Sequence, residues 1–568
     1  MKSMDTQRLI LFFVFSFSLL LLWTEWEKDQ RPKPAPVTAS APQATEAKGV
    51  PGAIPAPASP AVPATAPAAG AAPSPPTVPV TSAPAVKGEI VQVRTDLLIA
   101  DIDTLGGALV RLELLQHKDT NDLSKNLELL GPEHKYMAQS GLAGESGPNH
   151  RTLWRMVPGE RSLAEGRDSL EVRLAAEGKD GLAVEKIYTF KRDSYLIDVA
   201  LQVRNTGTAP VTPYAYFQLT HDGKQAAGGS SLAQSFGAQS FNGFADYTTE
   251  KKFEKIQYSD IDKGKIERSK KANDGWIAFV QHYFVSAWVP PGTGPRDYVV
   301  EKRPDGTYSG SVVLPFPAIA PGATAKVDAP LYAGPQEQRR LKEVAPGFDL
   351  VVDYGWLTII AWPLFWLLEK YHSLTGNWGV AIILLTVSIK IVFFPLSAAS
   401  YRSMAKMKSV TPRLTKIREM YANDRARQNQ AMMELYKTEK INPLGGCLPI
   451  VVQIPVFIAL YWVLLAAIEL RHAPFMLWIH DLSALDPYYV LPILMTVTMV
   501  VQTKLNPVPP DPVQAKVMMF MPFVFSIFFF FFPAGLVLYW LVNNMLSIAQ
   551  QWQIQRMFER DKPAHAKR

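Results

Sequence analysis

A chain of 568 residues with a formal net charge of +7 and a single cysteine is too long for one ordinary domain. It has no intramolecular disulfide framework and no multi-cysteine metal site. No GxxxxGKS/T loop and no HExxH helix occurs in it, so nothing points to P-loop nucleotide hydrolysis or to zinc-helix hydrolysis.

The first 26 residues combine Lys2 and Arg8 with an apolar run, LILFFVFSFSLLLLW. Such a run fits a secretory signal or a retained anchor. The flank TEWEKDQ offers no small-x-small cleavage site, and Trp23 and Trp26 suit an outer interface. An uncleaved signal-anchor helix over 1–26 is therefore expected, with its N-terminus cytoplasmic. Residues 31–86 are rich in Pro and Ala with few charges, which predicts a disordered, extended linker. From 88 to 340, alternating segments such as LEVRLAAE and LAVEKIYTFKRDSYLIDVALQVRNTG are separated by Gly, Pro and Asn turns. They predict a large antiparallel β-sandwich. Its histidines (His117, His134, His150, His221 and His282) are scattered without metal-ligand spacing, and no metal or cofactor is expected.

After the charged stretch PQEQRRLKEVAPGFD comes DYGWLTIIAWPLFWLLEKYHSL, 353–374, with Tyr354, Trp356, Trp362 and Trp366 and an internal Pro363. The run NWGVAIILLTVSIKIVFFPL, 377–396, is nearly pure hydrocarbon except for Lys390. A charge inside a span costs about 2.5–3.5 kcal/mol on insertion scales, so a partner, a wet cavity or a function must offset it. Residues 398–447 hold ten Lys/Arg against four Asp/Glu, which makes that loop cytoplasmic. With the β domain outside, an odd number of spans must separate the two. Hence 353–374 is expected to lie in the outer interface and 377–397 to cross as the second span. The remaining spans are 448–468, 490–503, 517–532 and 536–552. The acidic loop 469–489 is then external and the basic tail 553–568 cytoplasmic, six spans in all with both ends inside.

The loop 398–447 repeats apolar residues at three- and four-residue intervals with a break at Asn423 and Asp424, predicting a cytoplasmic helical hairpin. Its Met404, Met407, Met420, Met432 and Met433 fit either a hairpin core or an adaptable apolar face. Within the spans, Thr386, Ser388, Lys390, Gln453, Thr496, Thr498, Asn543 and Asn544 are polar, and Pro455, Pro492 and Pro522 loosen the helices. Short spans thin a bilayer. Together these features predict a wet concavity bearing one positive charge.

Here a resemblance becomes specific. GNWGVAIILLTVSIKIVFFPL, YRSMAKMKSVTPRL, NPLGGCLPIVVQIPVFIALY, PFMLWIHDLSALDPYYVLPILM and FPAGLVLYWLVNN together resemble the YidC membrane protein insertase family. The order of anchor, linker, β domain and five-helix core is similar to its Gram-negative form. The resemblance implies six transmembrane helices carrying a periplasmic antiparallel β-supersandwich, and a protein that inserts and folds inner-membrane proteins rather than an enzyme. It implies a hydrophilic groove with the basic residue at Lys390 and substrate contacts from Thr386, Gln453, Ile454, Pro455, Phe457, Met495, Phe528, Tyr539 and Trp540. The implied partners are nascent inner-membrane proteins, the Sec translocon, membrane lipids, and the ribosome and signal recognition particle pathway through the hairpin and tail. A secondary transporter or channel is the alternative, and a membrane-anchored carbohydrate enzyme a third reading.

Overall fold

This computed structural model describes residues 87–560 apart from 121, 145–146, 180, 225–240, 267–268, 353, 355–356, 440–447 and 507–511. The anchor 1–26, the linker 31–86, Trp356, Cys447 and the end of the tail lie outside the described residues.

Strong alternation makes the strands. The segment Ser169–Glu177 buries every second side chain at its start, as a half-buried strand must. Two antiparallel sheets result, with nineteen strands among the described residues. One runs in the order β1 (Ile90–Arg94), β2 (Leu98–Asp103), β3 (Ala108–Lys118), β5 (Met137–Leu142), β10 (Tyr214–His221), β17 (Tyr308–Pro315), β16 (Arg296–Lys302) and β13 (Ser269–Ala272), with β4 (Asn126–Leu130) on β3. The other runs β12 (Lys252–Ile256), β11 (Gly243–Thr248), β14 (Trp276–Val280), β15 (Phe284–Trp288), β19 (Leu331–Pro335), β9 (Leu196–Asn205), β8 (Leu182–Lys191), β7 (Ser169–Glu177) and β6 (Arg155–Met156), with β18 (Thr324–Asp328) on β9. Trp154, Trp276, Trp288, Phe217 and Phe244 fill the layer between them, where large aromatic areas dominate the burial free energy.

One buried amine ties the sheets together. Lys186 on β8 is fully buried. Its Nζ donates to the carbonyls of Gly106 at 2.7 Å, Ser140 at 2.8 Å and Gly107 at 3.2 Å, and lies 4.6 Å from the Trp154 ring centroid. Gly106 has φ +82°, and a Cβ there would meet the His150 carbonyl oxygen at 2.4 Å. Only glycine holds that turn against the amine.

Ten helices follow or interrupt the strands among the described residues. They are α1 (Tyr258–Asp262), α2 (Gln338–Val344), α3 (Thr358–Thr375), α4 (Trp378–Val392), α5 (Phe394–Met420), α6 (Arg425–Thr438), α7 (Leu448–Ala466), α8 (Val490–Leu505), α9 (Pro512–Phe529) and α10 (Ala534–Arg560). α5 and α6 pack against each other as a helical hairpin. Asp424 caps α6 through the Arg427 amide, and Val410 and Leu414 pack with Met407, Met432, Leu435 and Tyr436. Met407 and Met432 are thus hairpin core, while Met420 and Met433 are exposed.

The segment 377–397 is bent rather than one continuous helix. α4 stops at Val392, and α5 departs from it at 66°. Pro395 is the cause. It has no amide to give residue 391, and its ring clashes with that carbonyl. Lys390 therefore sits in the last turn of α4 and not deep in a continuous rod. Among the described residues no single helix is long and apolar enough to cross a membrane, and the bent pair α4–α5 is the one combination that passes together. At about 1.5 Å per residue, α4 spans about 23 Å and α8 about 24 Å, short of about 30 Å of hydrocarbon. The bundle is built around α10, which packs against α4, α5, α7 and α8.

The β domain meets the helices through a polar joint. Arg471 donates to the Lys118 carbonyl at 2.5 Å and to Thr120 Oγ1 at 3.1 Å, with its guanidinium 5.5 Å from the Phe284 ring centroid. His282 Nε2 donates to the Leu465 carbonyl at 2.9 Å, and Arg339 pairs with Glu369 at 3.1 Å. Burial, with Arg471, His472 and Arg340 nearby, pushes the His117 imidazole down to about 4. His221 falls to about 4 and His150 to about 3, burial being the larger cause for both.

Two outcomes follow. Lys186→Met removes the donor from three buried carbonyls and should cost about 3 kcal/mol of unfolding free energy, read as a lower denaturation midpoint of the purified full chain. The depressed imidazoles stay neutral in the fold when the unfolded chain, titrating near 6.5, already binds protons. Stability should therefore be unaffected above about pH 7 and fall as the pH drops from about 6.5 towards 4. Thermal melts across that range should show the loss, and His117→Phe, which keeps the ring contacts with Tyr195 and Phe284, should reduce its slope.

Candidate functional site

α10 carries Tyr539, Asn543, Ser547 and Gln551 at four-residue steps, a spacing that puts all four on one helix face. This polar stripe organises the site. Lys390, only 7 % exposed, donates from Nζ to Ser547 Oγ at 2.7 Å. Ser547 Oγ in turn donates to the Asn543 carbonyl at 2.8 Å. Gln453 on α7 donates to Asn543 Oδ1 at 3.3 Å. Asn544 approaches Met495 Sδ on α8 at 3.7 Å, and one turn further Gln551 takes a 2.5 Å hydrogen bond from Gln502. Among the described residues no carboxylate pairs with Lys390. Its charge is held by a neutral hydroxyl and by the carbonyl end of α4, where helix dipoles favour a cation.

An aromatic patch adjoins this stripe. The Phe457 ring lies 4.2 Å from Trp540 and 6.1 Å from Tyr539 between centroids, and Trp540 lies 5.5 Å from Phe529 on α9. Ile454, one turn back on α7, is nearly half exposed, and Pro455 beside it is partly buried. Tyr539 and Met495 are fully buried.

The expected residues thus divide. Lys390, Gln453, Phe457, Met495, Tyr539 and Trp540 converge on one side of α10. Thr386 is buried and spends its hydroxyl on the Ile382 carbonyl of its own helix at 2.7 Å. Thr496 and Thr498 bond in the same local way to Pro492 and Met495 carbonyls, and Ser388 pairs with Tyr371 of α3 at 2.5 Å. These hydroxyls satisfy local helix carbonyls or tie helices together rather than line an opening. Phe528 has a ring contact with Phe525, and Phe529 reaches the patch through Trp540. Ser547 was not among the expected residues, although the i, i+4 spacing from Asn543 marks it.

The scattered reading of the histidines is corrected for His134 and His221. Pairing of β5 with β10 stacks their rings 5.6 Å apart, and Asp222 Oδ1 lies 3.5 Å from His134 Nδ1 and 3.6 Å from His221 Nδ1. The lone pairs there close a turn. His221 Nδ1 accepts from the Gly223 amide at 2.9 Å, and Asp222 Oδ1 accepts from the Lys224 amide at 2.9 Å.

The loop between α7 and α8 closes one end of the bundle. Asp486, buried, accepts from the amides of Tyr488 and Leu491 and from Trp478 Nε1 at 2.7–3.0 Å. The amides of Ala534 and Gly535 donate to the carbonyls of Ala484 and Leu482 at 2.7 and 2.8 Å.

Ser547→Ala should cost roughly 1–2 kcal/mol in detergent-solubilised protein, because Lys390 loses its hydroxyl acceptor. With Lys390→Met already present, less than half that loss should remain, as a double-mutant cycle of denaturation midpoints would show.

Residues 90–367 match the family model described as YidC periplasmic domain, and 370–562 match 60Kd inner membrane protein. A "Membrane protein insertase YidC" of Aromatoleum aromaticum is 53% identical over 98% of this chain and 99% of its own length. One of Methylobacillus flagellatus is 53% identical over 98% of each. A solved structure titled "Active YidC insertase crystal structure with the first transmembrane domain resolved" aligns with TM-score 0.37 and 16% identity over 82% of this chain and 94% of that one.

Proposed function

The chain belongs to the YidC family of membrane protein insertases, inner-membrane proteins by family, and from that premise we propose how its own residues insert a substrate. The reading rests on one observation: a buried ammonium, Lys390, whose partner is the neutral Ser547 hydroxyl. A carboxylate partner would have cancelled the charge. A hydroxyl leaves its field available to an acidic segment arriving from the cytoplasm.

Moving a hydrophilic tail across about 30 Å of hydrocarbon is blocked by the cost of desolvating it. In this proposal the α10 stripe of Asn543, Ser547 and Gln551, with Gln453 and Lys390, forms a polar half-path open to the cytoplasm. The loop held by Asp486 closes the opposite end. Short helices such as α4 and α8 thin the membrane over what remains. Phe457, Trp540, Phe529 and the exposed Ile454 then offer an apolar face to the incoming helix, with Phe528, Pro455 and Met495 beside them and Thr386 supporting α4. The substrate's own apolar burial in lipid drives its release. No bond is made or broken.

The same reading places the hairpin α5–α6 and the basic tail in the cytoplasm, where they would meet ribosomes, the signal recognition particle pathway and anionic lipid. The β domain lies outside with the Sec translocon as neighbour. α3, with Ile359, Trp362 and Trp366 exposed on one side, lies in the outer interface. The spans are the anchor 1–26 with 377–397, bent at Phe393, then 448–468, 490–503, 517–532 and 536–552.

Depletion with plasmid complementation tests this. Without the protein, the tails of acidic-tailed single-span substrates should stay inaccessible to external protease. Lys390→Ala should slow their appearance roughly fivefold, the worth of about 1 kcal/mol of charge attraction at a wet site, and Lys390→Arg should restore it. Normal insertion after depletion would sink the reading. A silent Lys390→Ala with defective depletion would leave insertion standing and remove the charge from it.

A further inference from the structure

A cavity of about 500 Å³ lies where the β domain meets the outer end of α7. Its walls have two characters. Trp462 and Leu465, from the last turns of α7, and Val351, from the turn before α3, are apolar. Asn242, Lys255 and Gln257, from the β11–β12 region, are polar. The polar wall carries an unmet demand. The side-chain oxygen of Asn242 is buried and, among the described residues, has no hydrogen-bond partner, a state that costs free energy until a donor arrives. Lys255 brings its positive charge to the same wall, its Nζ 5.0 Å from the Phe241 ring centroid.

Three constraints select an occupant. The volume suits a headgroup with its first methylenes and not a whole lipid. The Trp462 end of an apolar helix lies at the level of a membrane interface, where acyl chains begin. The orphan acceptor asks for N–H or O–H, while Lys255 suits a phosphate.

We propose that this cavity binds the headgroup of one glycerophospholipid whose headgroup carries a hydrogen-bond donor, an ethanolamine ammonium or a glycerol hydroxyl. The phosphate faces Lys255, the donor meets Asn242, and the chain leaves along Trp462 and Leu465. Choline, with three methyls and no donor, cannot satisfy Asn242. The proposal rests on the reading that the outer end of α7 faces away from the cytoplasm. His282, which fixes the Leu465 carbonyl, makes the cavity part of the joint between the β domain and the helices, so a bound lipid would brace that joint.

Native mass spectrometry of the purified full chain, delipidated and given phosphatidylethanolamine, phosphatidylglycerol or phosphatidylcholine, tests it. One equivalent of either donor-bearing lipid should be retained at least tenfold better than phosphatidylcholine, and Asn242→Ala should reduce that preference below twofold with the melting midpoint kept. A photocrosslinker at 465 in the otherwise unaltered chain should capture phospholipid from membranes. No lipid captured, or retention without headgroup preference in the unaltered chain, overturns the proposal. Labelling of Gln257→Cys, in a Cys447→Ser background, by an impermeant thiol reagent from outside the cell distinguishes the failures. Labelling there with no lipid preference removes the lipid site alone, whereas labelling only from the cytoplasmic side removes the topology with it.

Discussion

A protonated amine among apolar helices must be solvated by something, and much of the helical half follows from how that is done. Lys390 is answered by Ser547 and the carbonyl end of α4. Both answers depend on position: α10 must present Ser547 opposite α4, and α4 must end just after Lys390. The first requires α10 to pack against α4, α5, α7 and α8 at once. The second requires Pro395. Were α4 to continue straight, the ammonium would sit mid-rod with no free carbonyls and a larger desolvation cost.

The β domain uses the same solution differently. Lys186 is fully enclosed and engages three carbonyls and an aromatic face, so its donors are spent on holding two sheets together. Among the described residues Lys390 has one hydroxyl partner and keeps donor capacity in reserve. Two buried lysines in one chain thus divide into a fastener and a field source, and the difference lies in how completely each is coordinated.

Much of the architecture is legible in the sequence because burial of apolar area, the largest force in folding, writes itself as periodicity. Ser169–Glu177 alternates visibly, and the hairpin break near Asp424 coincides with a real cap. The bend is hidden because hydropathy counts composition, and Phe393 to Leu396 are as apolar as what precedes them. Pro395 carries its information in a missing amide. The pairing of His134 with His221 is invisible because it arises from the register of β5 on β10. The polar residues of the helices can be read off the chain, but their direction cannot. Thr386, Thr496 and Thr498 spend their hydroxyls on local helix carbonyls, which no count of polar residues in a span reveals. That Phe457 and Trp540 belong to one site came from resemblance alone, and their ring contact is visible only in the fold, since residues 83 positions apart in the chain share no local signal.

The bend at Phe393 has a mechanical side. From it α5 runs unbroken for 27 residues, about 40 Å at about 1.5 Å per residue. It is a lever whose fulcrum lies three residues from Lys390. A rotation of about 5° at the fulcrum sweeps the far end by about 3.5 Å over that length. The same rotation shifts the atoms beside Lys390 by only a few tenths of an ångström, enough to alter a hydrogen bond and too little to unpack a helix. Were α5 to move as a rigid body despite Pro412, a load on the hairpin tip would be geared down, at roughly ten to one, into adjustments of the length of the Lys390–Ser547 contact.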